Sequence, residues 1–144
     1  MTPQSLRPTV VLVGHATLAR GVLDAAEMIL GPQADVHAVG MTPDQDPAEL
    51  LAAVQRVTRG GRPAGQLLVL ADLFGGSPAN AVAAAVLRDS GAELVTGLNL
   101  PMVLEVLTSA DDATVADLAA TAARAGAEGV LDAGRRLRDA AADG

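Results

Sequence analysis

The chain has 144 residues and a formal net charge of −7, with ten Lys and Arg against seventeen Asp and Glu. That length supports one domain with a sizeable core, and the acidic balance disfavours nucleic acid as a partner. Phe74 is the only aromatic, which removes base stacking as well, and the absence of cysteine excludes disulfides, thiolate metal sites and thiol redox chemistry. No apolar run approaches a membrane span, and the N-terminus MTPQSLRP has no signal-peptide pattern. A soluble, cytoplasmic protein with no direct membrane insertion, no metal and no cofactor is expected.

The apolar half of the composition is almost entirely Ala, Val and Leu. Such a core suits parallel strands flanked by Ala-rich helices. Thr9 to Gly14 (TVVLVG) reads as a buried strand ending in glycine. The first helix follows, with Thr17 as its N-cap and Gly31-Pro32 as its stop, and with Leu18, Val22, Ala25, Ala26 and Ile29 at the spacing of one face. Asp35 to Val39 is a weaker second strand. A second helix spans Pro47 to Thr58, capped by Asp46 with Pro47 at its first position. Gln66 to Ala71 (QLLVLA) is the third strand, and Ser77-Pro78 opens a third helix to about Asp89. Glu93 to Thr96 is the fourth strand. Pro101 starts a helix ending near Ser109, and an Ala-rich helix begins after Asp111 or Asp112 and runs to about Ala125. Gly129-Val130-Leu131 fits either a short strand or a helix end. Arg135, Arg136 and Arg138 read as a solvated helix face.

Alternating strands and helices without a linker or internal repeat predict a single α/β domain over residues 1–144, a core of about 9–133 with a short C-terminal tail. The expected architecture is a flavodoxin-like, three-layer open parallel sheet in strand order 2-1-3-4. In that order the first and third strands are neighbours and the chain reverses direction between them. Ligand chemistry gathers outside the carboxyl ends of the strands at such a switch point.

Two polar residues stand at those two ends: His15 after the first strand and Asp72 after the third. A carboxylate accepting from one imidazole nitrogen fixes the tautomer and leaves the other as a nucleophile. Asp72 is followed by Leu73-Phe74-Gly75-Gly76-Ser77-Pro78. The glycines allow a tight turn with inward N–H groups, and Ser77 both caps the helix and offers a hydroxyl, so Gly75, Gly76 and Ser77 form a candidate phosphate cradle. A lone histidine after a strand is more often structural. The convergence of imidazole, carboxylate and anion cradle is what points to phosphoryl transfer through histidine. His37 lies within a strand pattern with no loop motif beside it and reads as structural.

Three segments, VGHATLARGVLDAAEMILG (Val13 to Gly31), DLFGGSPAN (Asp72 to Asn80) and GLNLPM (Gly97 to Met102), make the chain resemble the mannose-type enzyme IIA domain of the sugar phosphotransferase system, in the mannose/sorbose family. The resemblance implies a phosphotransferase component with a phosphohistidine intermediate. His15 would accept phosphate from the phosphocarrier HPr and pass it to a mannose-type IIB protein or domain, with Asp72 orienting the ring. It also implies phosphate contacts at Gly76 and Ser77, and a homodimer in which a C-terminal strand is exchanged into the partner's sheet, with Glu128 to Ala133 as the candidate segment. Gly14, Asn99, Pro101 and Met102 have supporting status.

The residue after the histidine is Ala16, where family members often carry glycine. Alanine is expected to keep ordinary backbone angles and leave this loop less permissive. With the chain ending at Gly144, the IIB partner is expected on a separate polypeptide. The alternative is a regulatory phosphoprotein of the same fold, whose phosphorylation state controls a partner instead of sugar uptake. A receiver module is disfavoured because Gly14-His15 stands where an acidic cluster is needed, and a nicotinamide enzyme because no G-x-G-x-x-G opens the first helix.

Overall fold

The computed structural model describes residues 7–58, 66–73, 80, 82–84 and 92–144. In chain order the elements are β1 (Thr9–His15), α1 (Leu18–Leu30), β2 (Val36–Met41), α2 (Pro47–Thr58), β3 (Leu67–Ala71), β4 (Glu93–Thr96), α3 (Leu100–Ser109), α4 (Val115–Glu128) and α5 (Ala133–Asp143). Asn80 and residues 82–84 are helical, within the stretch predicted as the third helix. The rest of that stretch, Gly75, Gly76 and Ser77 included, lies outside the described residues.

The four strands form one parallel sheet in the order β2-β1-β3-β4, as expected. Strand alternation divides the apolar side chains between two faces. Val10 and Leu12 of β1 and Leu68 and Leu70 of β3 pack with α1, α3 and α4. Val11, Val13 and Val69 pack instead with Leu50 and Val54 of α2 and with Val82. The result is three layers, in which β1 and β3 are closed to water on both sides. A central Leu12→Ala or Leu70→Ala change would cost about 2–5 kcal/mol in lost burial and cavity.

The helix ends follow local chemistry. Asp46 caps α2 through Glu49 N–H (2.9 Å), as read from the sequence. Thr17 precedes α1, but its side chain makes no capping bond. The cap of α4 is Thr114, which accepts from Asp117 N–H, and Asp112 stays outside the helix with φ of 61°. In α1 the buried residues are Ala19, Leu23 and Ala26, while Leu18 and Ile29 are exposed. The core stripe is therefore rotated from the predicted one, because α3 packs against a neighbouring face of the same amphipathic helix.

Residues Val130 and Leu131 are neither strand nor helix within this single chain, and both are exposed. The tail then forms α5, started by Asp132, which accepts from Arg135 N–H at 2.9 Å. No residue of α5 is buried, so its arginines lie on a solvated helix, as expected. Among the described residues, no helix is long and apolar enough to cross a membrane.

Candidate functional site

His15 is the last residue of β1, and Asp72 directly follows the last residue of β3. Parallel pairing of Val13 with Ala71 sets the two strand ends level. Asp72 N–H donates to the Val13 carbonyl at 3.1 Å, which adds one more rung beyond the strand. The switch point thus brings together two residues 57 positions apart in the chain.

The Asp72 carboxylate meets His15 twice through one oxygen. Its Oδ2 accepts from the His15 backbone N–H at 2.9 Å and from the ring Nδ1 at 2.8 Å. Burial works against charge on Asp72, but the His15 hydrogen bonds outweigh it and hold the carboxyl below the usual carboxylate range. An ionised carboxylate can only accept, so Nδ1 carries the proton, and in the neutral imidazole the lone pair is on Nε2. The Asp72 side chain is 8% exposed and the His15 side chain 44% exposed, so the anchor is sheltered while the ring remains accessible.

Backbone shape makes room for this contact. A Cβ on Gly14 would lie 3.3 Å from Asp72 Oδ2, so glycine lets the carboxylate lie against β1. Ala16 departs from the expectation of ordinary angles: its φ is 51°, in the left-handed region. The chain must turn from β1 into α1 within two residues, and Ala16 N–H is held by the Met41 carbonyl at 2.9 Å. An alanine there carries roughly 1–2 kcal/mol of strain. The Ala16 carbonyl in turn occupies the space a side chain on Gly40 would need. The second strand was expected to end at Val39, and β2 instead runs on to Met41, which places Gly40 inside the strand.

Of the supporting residues, Asn99 caps α3, with Oδ1 accepting from Met102 N–H at 3.0 Å. Met102 is buried in the core cluster beneath α3, and Pro101 sits in the first turn against Gly129. They lie beyond the end of β4 and make no hydrogen bond to His15. Arg7, also unmarked by sequence, binds Asp111 at 3.2 Å and Gln33 Oε1 at 3.0 Å. It precedes β1 and so ties the opposite end of the sheet. Among the described residues no group of acidic, His or Cys side chains could hold a metal ion.

Together these features define a doubly wound α/β protein with a carboxylate-oriented, accessible imidazole at its switch point. Residues 9–123 match the family described as PTS system fructose IIA component, EIIA-man. The chain is 37% identical over 109 residues to the PTS system sorbose-specific EIIA component of Lacticaseibacillus casei, covering 76% of this chain and 78% of that one. It is 34% identical over 128 residues to the PTS system mannose-specific EIIAB component of Escherichia coli strain K12, covering 84% of this chain but only 38% of that longer protein. A solved structure, the mannose/sorbose specific IIA subunit from Enterococcus faecalis, superposes with a TM-score of 0.77 at 32% identity over 87% of this chain and 93% of that one. The chain belongs to the mannose-type EIIA family and is a component of a sugar phosphotransferase system.

Proposed function

We propose that the protein is a phosphocarrier whose His15 Nε2 accepts a phosphoryl group from the phosphohistidine of HPr and passes it to a mannose-type IIB domain. The observation that carries this reading is the Nδ1–H to Asp72 Oδ2 bond of 2.8 Å, which leaves Nε2 as the free nitrogen on an accessible ring. The lone pair of Nε2 attacks phosphorus in line as the bond to the donor's ring nitrogen breaks, and that nitrogen keeps the electron pair. His15 then holds a proton on Nδ1 and the phosphoryl group on Nε2. The Asp72 carboxylate balances the positive charge of that ring, so no proton has to leave. Transfer to IIB is the same displacement in reverse.

Phosphate contacts are assigned to Gly75, Gly76 and Ser77 on their sequence alone. A homodimer also belongs to this reading. Val130 and Leu131 are 75% and 57% exposed, and β4 is an edge strand able to receive such a segment. Light scattering on the full chain and on a chain ending at Ala127 tests it; equal monomer masses would remove the exchanged strand.

The decisive test of the carrier role is incubation with phosphoenolpyruvate, enzyme I and HPr. One acid-labile phosphate per chain is expected, N-linked at Nε2 by 31P NMR, and lost in His15→Asn and His15→Gln. Undiminished labelling of either variant would sink the proposal.

A further inference from the structure

The peptide that joins Ala71 to Asp72 is gripped from both sides. Its N–H, on Asp72, donates to Val13 O of β1 at 3.1 Å, and its C=O, on Ala71, accepts from Leu98 N–H at 3.0 Å. Leu98 belongs to no strand. It sits in the turn between β4 and α3, just after Gly97, whose φ of 88° lets the chain leave the sheet there. The position of that turn therefore bears directly on the backbone from which the Asp72 carboxylate projects.

The residue after Leu98, Asn99, is hydrogen-bonded through both ends of its side chain. Its Oδ1 accepts from Met102 N–H at 3.0 Å, and its Nδ2 donates to the Gly126 carbonyl of α4 at 3.0 Å. One amide thus uses both ends to join the start of α3 to the last turns of α4. The approach is close: a Cβ on Gly126 would come within 2.8 Å of Met102 Cε, and one on Gly129 would collide with the Pro101 ring. Gly126, inside an Ala-rich helix, is otherwise costly there, by reason of backbone entropy, whereas Gly129 follows the helix as its C-cap. Their absent side chains are what let the helix reach the asparagine.

We propose that Asn99 is a positioning residue for the His15–Asp72 pair, bracing the turn at residues 97–99 against α4 so that Leu98 N–H holds the Ala71 carbonyl. Asn99 touches neither member of the pair by hydrogen bond; it acts through Leu98 and the Ala71–Asp72 peptide. The consequence for phosphoryl transfer rests on the carrier role proposed above, whereas the geometric claim does not.

The test compares Asn99→Ala and Asn99→Ser with Thr114→Ala. Asn99→Ala removes cap and brace, and Asn99→Ser keeps a capping hydroxyl but cannot reach Gly126. Thr114→Ala removes the corresponding cap of α4, where Thr114 Oγ1 accepts from Asp117 N–H at 3.1 Å, as a control for lost stability alone. The readouts are the 15N shifts of the His15 ring with the Nδ1 proton resonance, and the initial rate of phosphoryl uptake from phospho-HPr. Both Asn99 variants are expected to weaken the Nδ1–H signature and slow uptake by roughly threefold to tenfold, as small misplacements of reacting groups do. Thr114→Ala should leave both readouts as in the wild type. Wild-type ring signals in Asn99→Ser overturn the brace, as does a ring change of equal size in Thr114→Ala. If Asn99→Ala does not fold, Asn99→Ser carries the comparison. A wild-type protein that takes no phosphoryl group would refute the carrier role, and the ring signals would still decide the brace.

Discussion

Asp72 Oδ2 receives both the backbone N–H and the ring Nδ1 of His15, at 2.9 and 2.8 Å. One oxygen therefore fixes the strand end and the ring together, so that backbone position and tautomer are set by the same contact. Replacing Asp72 by Ala should slow phosphoryl uptake about tenfold to hundredfold, the equivalent of one charge-assisted hydrogen bond of ~1.5–3 kcal/mol. Uptake should not vanish, because Nε2 remains. Quench-flow labelling checks this, and full-rate transfer in the variant would remove Asp72 from the mechanism.

The same carboxylate should make stability depend on pH. Its folded pKa is depressed, chiefly because the His15 hydrogen bonds overcome the opposing effect of burial. A depressed value contributes stability above the unfolded pKa and loses it as pH falls through the folded one. The wild type should therefore exceed Asp72→Asn by about 1 kcal/mol at pH 7, a figure kept small by the exposure of the His15 ring. That gap should shrink below the ordinary carboxylate value of 3.8. Urea unfolding of both proteins at pH 7 and pH 3 measures it; an equal gap at both would mean that the charge is not what matters.

Two glycines shape the site by what they leave out. Gly14→Ala would place a methyl group against Asp72 Oδ2 and should slow uptake about tenfold through displacement of the carboxylate. Gly40→Ala would meet the Ala16 carbonyl and should cost about 1–3 kcal/mol of stability through overpacking. Thermal unfolding together with labelling separates the two, since the first variant acts mainly on rate and the second mainly on stability.

Ala16 holds a left-handed φ immediately after His15. Ala16→Gly relieves the strain but adds unfolded-state entropy, for a net gain of about 0.5 kcal/mol. A small rise in Tm is the expected result. A fall of several degrees would mean that the alanine methyl has a packing role larger than its strain.

Hydrophobic period, strand length and cap residues are local quantities, which is why the four parallel strands and the α2 cap were legible from residues alone. The alternation of elements implied a parallel sheet, and four strands without a dinucleotide fingerprint suggested the 2-1-3-4 order, with the prediction that His15 and Asp72 meet. The segment at Gly129 to Leu131 was not legible, because three residues carry too little pattern to separate strand from helix end. The α1 core face was misplaced for a related reason: the helix is apolar on adjoining stripes, and only the neighbours packed against it choose between them.

By itself, then, the sequence determined the fold class and the identity of the imidazole and its carboxylate, since each depends on residue type and on position relative to a strand end. Tertiary structure decided what that pair does at atomic scale. It selected Oδ2 as the shared acceptor and Nε2 as the free nitrogen, pressed Ala16 into a left-handed turn over Gly40, and set Asn99 against a glycine 27 residues away. These are distances between segments remote in the chain, fixed only when the strands take their register and the helices close on the sheet.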